Sequence, residues 1–293
     1  MDLTALFCDV DDFVSKKEMS SIQPKVIGKN KIQRIRPCAL SDSEIMTIII
    51  AYHQSGYRNF KAFYIEYVRK HLDKYFPKLV SYNRFLELMS KVILLLTDYL
   101  AFRFDKPTGI SFIDSTPIQV CKPKRISRNK VFKNTAKIGK STIGWFFGFK
   151  LHLIVNEKGG ILSVKFTKGN TDDRTPVFSM VKNLFGKLFG DKGYISKKLT
   201  TKLQTKNVTL ITGLKKNMKN KLLLLSDKIS LRKRSIIETI NDQLKNISNI
   251  EHSRHRSTTN FVVNLLGALI AYTHQPKKPR ITGIPDKSLI SWS

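Results

Sequence analysis

The sequence predicts an α/β protein: a mixed five-stranded sheet flanked by helices, behind a smaller all-helical N-terminal domain. Three observations lead there. Apolar residues recur at helical spacing through the first 109 residues. From Pro107-Thr108-Gly109 the pattern changes to short alternating runs separated by turn residues, the mark of strands. After about residue 230 helical spacing returns.

Taken in order, Leu40-Ser41-Asp42-Ser43-Glu44 has the form of a capping box, with Ile45, Ile48, Ile49 and Tyr52 on one helical face behind it. A second helix is expected from about Asn59 through His71, and a third from Ser81-Tyr82-Asn83-Arg84 to about Phe102. The polar start of the third resembles a helix-turn-helix, although a plain helical bundle fits the same residues. Strands are expected over Ile110–Ile118, Gly144–Asn156 and Ile161–Thr167. A Glu-Lys-Gly-Gly turn joins the last two as a hairpin. Thr171-Asp172-Asp173-Arg174-Thr175-Pro176 has helix-start chemistry for a helix reaching about Leu184. Strands Lys187–Asp191 and Val208–Gly213 follow, then helices over about Ser230–Asn246 and Asn260–His274. The expected domains are a helical one over 1–105, an α/β one over 106–274 and a basic, flexible tail over 275–293.

Charge narrows the function. The chain of 293 residues has 52 Lys+Arg against 22 Asp+Glu, a formal +30. Residues 1–109 hold 17 basic and 12 acidic side chains, which leaves 35 basic and 10 acidic, a net +25, for residues 110–293. A folded domain that positive repels itself unless it works beside a polyanion, so nucleic acid is the expected partner. Cys8, Cys38 and Cys121 are odd in number and share no CxxC or Cys/His spacing, which argues against a disulfide framework or a zinc site. No secretion signal is visible, and Val92–Leu96 and Phe261–Tyr272 are too short or interrupted to span a bilayer. A soluble cytoplasmic protein is expected, with no membrane partner.

With only ten carboxylates after residue 109, their positions are informative. Asp114 lies inside an apolar strand, Asp191 at the end of another, and Glu238 on a helix with Arg234 four residues before it and Lys245 seven after. A carboxylate in or just beyond a buried strand is costly unless a cation or hydrogen bonds satisfy it. Three carboxylates converging from two strands and a helix suit a pair of Mg²⁺ or Mn²⁺ ions about 3.5–4 Å apart. Taken singly, Asp191 could shape a turn and Glu238–Arg234 could be a surface pair. Asp172 and Asp173 read as a helix start, and His152 as a packed histidine on the side of the strand that carries Lys150.

The order Asp114, Asp191, Glu238 resembles the DDE transposases of bacterial insertion sequences, which share the RNase H-like fold with retroviral integrases. The last helix is similar to their signature tyrosine-x2-Arg-x3-Glu-x6-Lys. Here Arg234, Glu238 and Lys245 fill it, with Leu231 at the tyrosine position. Gly-Asn-Thr-Asp-Asp-Arg (169–174) and Gly-Asp-Lys-Gly-Tyr (190–194) also resemble family blocks, and the likeness covers about residues 105–272. It implies a two-metal site on Asp114, Asp191 and Glu238, with Arg234 and Lys245 supporting the phosphate or orienting Glu238. It also implies binding to the element's terminal inverted repeats, phosphodiester hydrolysis, and transfer of the 3′-OH into target DNA. Two DNA ends imply at least a homodimer, in a bacterial, nucleoid-associated setting. The rivals are a metal-dependent nuclease of the same fold that does not join strands, and an inactive DNA-binding relic.

Between Cys121 and Lys150 no acid interrupts Lys122, Lys124, Arg125, Arg128, Lys130, Lys133, Lys137 and Lys140, and Phe132 and Trp145 lie among or just beyond them. Basic groups interleaved with aromatics suit a long loop that follows phosphates and stacks on bases, though a solvated charged loop has the same composition. Lys215, Lys216, Lys219 and Lys221 form a second basic patch; Arg254, His255 and Arg256 form a third.

Overall fold

A computed structural model of the chain describes residues 2–20, 38–142, 144–214, 218, 223–251 and 255–281. The chain forms two compact units. One is Met1–Arg103 with Ile247–Gln275; the other is Phe104–Asn246 with the described residues of Pro276–Ser293.

The first unit is helical: α1 (Leu3–Ser20), α2 (Asp42–Gln54), α3 (Phe60–Ala62), a π-helical stretch (Phe63–Val68), α4 (Arg69–His71), α5 (Tyr82–Met89) and α6 (Ile93–Phe102). The capping box forms as read. Glu44 N–H donates to Ser41 Oγ at 3.1 Å, and Ser41 N–H donates to a Glu44 carboxylate oxygen at 2.7 Å. Asn59 and Ser81 cap α3 and α5. The helix expected from Ser81 to Phe102 breaks after Met89 into two. The last described helix, Thr258–Thr273, also belongs to this unit, whereas the sequence reading ran the second domain through it to 274. Its side chains are apolar nearly all round and buried, so it needs helices on several sides and packs on α2, α5 and α6.

The second unit holds the sheet: β1 (Ile110–Cys121), β2 (Lys137–Ser141), β3 (Gly144–Asn156), β4 (Ile161–Lys168), β5 (Gly186–Gly190) and β6 (Val208–Thr212). It also contains α7 (Val177–Met180), α8 (Lys197–Gln204), α9 (Leu225–Arg232) and α10 (Ser235–Asn246), so the Thr258–Thr273 helix is α11. β1, β3 and β4 run antiparallel, and β5 and β6 add on the far side of β1 in parallel. The sheet is the mixed, helix-flanked one expected, with one more strand. β2 pairs the first part of β3 on the edge where β4 pairs the rest, so the presumed long loop is partly a strand. The helix expected from Thr171 to Leu184 shrinks to the single turn of α7, because Asp172 holds Arg174 in a tight turn before it.

Alternation along β1 assigns its two faces. Ile113 points to a core with Ile154, Leu188, Val177, Met180, Leu199 and Leu203, under α7 and α8. Phe112 points the other way and stacks on Phe189, ring centroids 5.5 Å apart. On that face α10 packs against β1 through buried Ile237, Ile240 and Leu244. The β3–β4 turn needs a left-handed residue, and Gly159 supplies it with φ of +75°. A Cβ there would also lie 2.1 Å from the Pro279 carbonyl oxygen. Residues 276–281, expected to be loose, are held to this turn by Ile281 N–H donating to the Glu157 carbonyl at 2.8 Å. None of the described helices is long and apolar enough to cross a membrane.

Candidate active site

β1 outruns its parallel neighbour. β5 pairs only Ile110 to Phe112, so from Ile113 onward that edge of β1 is open, and Pro117, which has no N–H to give, is tolerated there. Asp114 stands on this overhang. Phe112 pairs with Phe189, so Asp114, two residues further along β1, and Asp191, the residue after β5, both lie just past the end of the β1–β5 pairing. Asp191 opens a short 3₁₀ turn (Lys192–Tyr194) and accepts the Gly193 N–H.

From the helical side, Asn241 of α10 donates its amide to Asp114 Oδ2 at 3.1 Å. Arg234, just before α10, reaches both acids: 4.0 Å from Asp114 Oδ1, and 2.6 Å from Glu238 Oε1. Burial pushes the Asp114 carboxyl up to about 6. Arg234 and a hydrogen bond from the Ser115 N–H pull it down, while the charges of Asp191 and Glu238 push it further up. The three carboxylates therefore feel one another. Glu238 is over half exposed in the first turn of α10, and Lys245 lies in its last turn.

Tyr194 sits under the same region, 2% exposed, with its hydroxyl buried beside Ser115 but without a well-formed hydrogen bond. Burial raises its pKa most, and Asp114, Asp173 and Asp191 add to that. Asp173 is therefore near the site and not merely a helix start. It pairs with Lys150 at 2.9 Å. Sequence reading named this acid without that role; the block 169–174 was the available signal. His152 is fully buried and bonds Thr167 Oγ1 at 2.8 Å, and burial lowers its pKa to about 4, as suits a packed histidine.

Among the described residues, no three His, Cys, Asp or Glu side chains are grouped tightly enough to hold a metal ion. Arg234 lies between Asp114 and Glu238 instead. The donor set, three carboxylates with one desolvated and raised by the other two, has the chemistry that a divalent cation relieves.

Of the expected DNA contacts, Lys122, Lys124, Arg125, Arg128, Lys130 and Lys133 are exposed on the turns and short 3₁₀ helix between β1 and β2, and Lys137 is exposed on β2. Trp145 is 65% exposed, with the Lys140 ammonium 5.7 Å from its ring centre. Phe132 is 3% exposed and packs edge-on against Phe149, so it is core and not a stacking platform. Arg256 is exposed in the helical unit. Arg254 and the patch Lys215, Lys216, Lys219 and Lys221 lie outside the described residues.

A family model described as the transposase DDE domain matches residues 104–258, which span the sheet and α10. No curated protein matches the sequence. Among solved structures, a simian T-cell lymphotropic virus intasome in complex with the PP2A regulatory subunit B56 gamma is 14% identical, over 64% of this chain and 63% of that one, with a TM-score of 0.28. A Mos1 mariner paired end complex with Mn is 12% identical, over 90% and 84%, with a TM-score of 0.24. The chain thus spans just under two thirds of the first of these. Scores this low leave the family match as the comparison that carries weight.

Proposed function

Because the chain belongs to the family of transposases with a DDE domain, we propose that it binds the ends of its own mobile element, hydrolyses phosphodiester bonds there and joins the exposed 3′-OH ends to target DNA. The observation that carries this reading is Asp114. A carboxylate largely sunk in a central strand, near Arg234 and pushed up by the charges of Asp191 and Glu238 as well as by burial, destabilises the fold unless it has a cationic task.

Asp114, Asp191 and Glu238 would hold the divalent cations, Mg²⁺ or Mn²⁺. Bound there, two such ions supply an activated attacking oxygen and stabilise the leaving one. Asn241 keeps the Asp114 carboxylate turned toward the site. Arg234 and Lys245 would provide positive charge for the phosphate undergoing attack. The exposed cations from Lys122 to Lys140 and the Trp145 ring would seat the DNA backbone and an unstacked base. The N-terminal helices, α5 among them, would read the terminal repeats. Two ends imply a homodimer or larger assembly, acting in the bacterial cytoplasm.

One observation favours a second reading, DNA binding without catalysis: Arg234 bonds Glu238 directly and stands within ion-pair reach of Asp114, so its charge is engaged by the acids themselves. Labelled, pre-cleaved element ends incubated with a supercoiled target and Mg²⁺ decide among the readings. Inserted products support the transposase, and nicks without insertion point to a nuclease. Binding with no product from wild type supports the second reading.

A further inference from the structure

A polar cleft of about 430 Å³ opens between β2 and β3, the turn before α7 and the 3₁₀ turn that Asp191 begins. Lys140, Lys150, Asp172, Asp173, Arg174 and Gly193 are among the residues that line it. Gly193 is two residues from Asp191, so the cleft borders the candidate site. We propose that this cleft is a phosphate subsite that seats the DNA backbone beside the bond being cut, with Lys150 as its fixed donor and Asp173 as the residue that positions it. The inference rests on the transposase reading above and adds a subsite to it.

Lys150 differs from the basic residues of the β1–β2 segment in being held. Its side chain is only 13% exposed, and its ammonium donates to the Thr171 carbonyl at 3.0 Å and to Asp173 Oδ1 at 2.9 Å. An ammonium has three N–H donors. Two are fixed inside the protein among the described residues, which leaves one for the cleft that the side chain lines. Arg174 is held in the same manner by Asp172 through its Nε and one terminal nitrogen, and keeps further N–H donors. The acids thus orient these cations and leave each of them a donor to spare. Lys140, on the rim beside Trp145, makes no salt bridge among the described residues. Three cations against two carboxylates leave one net positive charge, which matches the single negative charge of a phosphodiester. A free phosphate near neutral pH carries more charge than the cleft balances. Fixed donors around such a group give position as well as affinity, which is what an in-line displacement requires.

The test uses the full chain in EDTA, so that binding is read apart from catalysis. Binding of a labelled duplex is followed by anisotropy across a series of salt concentrations. Losing one phosphate contact should make the slope of log K against log salt shallower by roughly 0.7–0.9. Lys150→Met, which keeps the buried stem, is expected to show this change, and Lys150→Arg to restore the wild-type slope. Lys140→Met, at an exposed position on the same cleft, should show a similar loss without touching the core. Asp173→Asn should keep the slope, since Lys150 stays charged, yet lower Mg²⁺-dependent cleavage through loss of position. Unchanged slopes in both methionine variants, with wild type binding DNA, would overturn the subsite alone; no DNA binding by wild type would overturn the transposase reading. Inorganic phosphate at fixed ionic strength should not compete. Competition that vanishes in Lys150→Met would reassign the cleft to a free anion.

Discussion

Replacing Asp114 by Asn should make the protein more stable at pH 8 and leave it unchanged at pH 3.5. The carboxyl is pushed from 3.8 up to about 6 by burial, against the pull of Arg234. Below pH 3.8 it is protonated in both folded and unfolded chains and costs nothing. Between 3.8 and about 6 the unfolded chain gives up the proton while the folded one keeps it, so stability falls as pH rises. Above 6 the cost is constant, about two pH units or roughly 3 kcal/mol. With a urea m-value of about 1–3 kcal/mol/M, that gain moves the unfolding midpoint up by about 1–3 M. The assay is urea unfolding in EDTA at pH 8 and pH 3.5, followed by circular dichroism on the wild type and the variant. Adding Mg²⁺ should narrow the gap at pH 8 by stabilising the wild type alone. Equal midpoints at pH 8, or a gain of the same size at both pH values, would refute the argument that Asp114 is held ionised at a cost to the fold.

Trp145→Ala should leave the melting temperature alone and weaken binding of single-stranded DNA by about 1–3 kcal/mol, the worth of one stacked base. Phe132→Ala, by contrast, should cost about 3–5 kcal/mol of stability, because its ring is buried against Phe149. Asp227→Ala should lower stability by about 2 kcal/mol. That is less than the 3–5 of a fully buried pair, because Lys187, its partner at 2.6 Å, can reach water; thermal unfolding checks it. Asn241→Leu removes a donor to the charged form of Asp114, so ionisation becomes harder, and the pH profile of cleavage should move to higher pH.

The parts of this structure that local chemistry decides were legible in the sequence. Ser41 and Glu44 satisfy each other across one helical turn, and Glu157-Lys158-Gly159-Gly160 turns between two alternating strands. The apolar run around Asp114 marked a buried strand, and the position of Asp191 just beyond the end of a neighbouring strand was legible from the apolar residues before it. What escaped depends on long-range packing. β2 reads as charged loop because Lys137 and Lys140 face solvent and Gly139 is small where it meets the Gly169 backbone. Phe132 looks like a platform among lysines until Phe149, seventeen residues on, covers it. The Lys150–Asp173 pair joins β3 to the turn before α7, a contact no spacing rule foresees. Nor could periodicity show that α11 packs with helices 150 or more residues earlier.

The central claim, that Asp114, Asp191 and Glu238 act together on DNA, is tested most directly by comparing wild type with Asp114→Asn, Asp191→Asn and Glu238→Gln. Each would be given labelled DNA carrying the element's ends and Mg²⁺, with binding measured alongside. The account predicts that all three variants bind DNA as wild type does while cleavage and joining fall by orders of magnitude in each. Undiminished cleavage by any one variant would remove that residue from the site, and undiminished cleavage by Asp114→Asn would contradict the account as a whole.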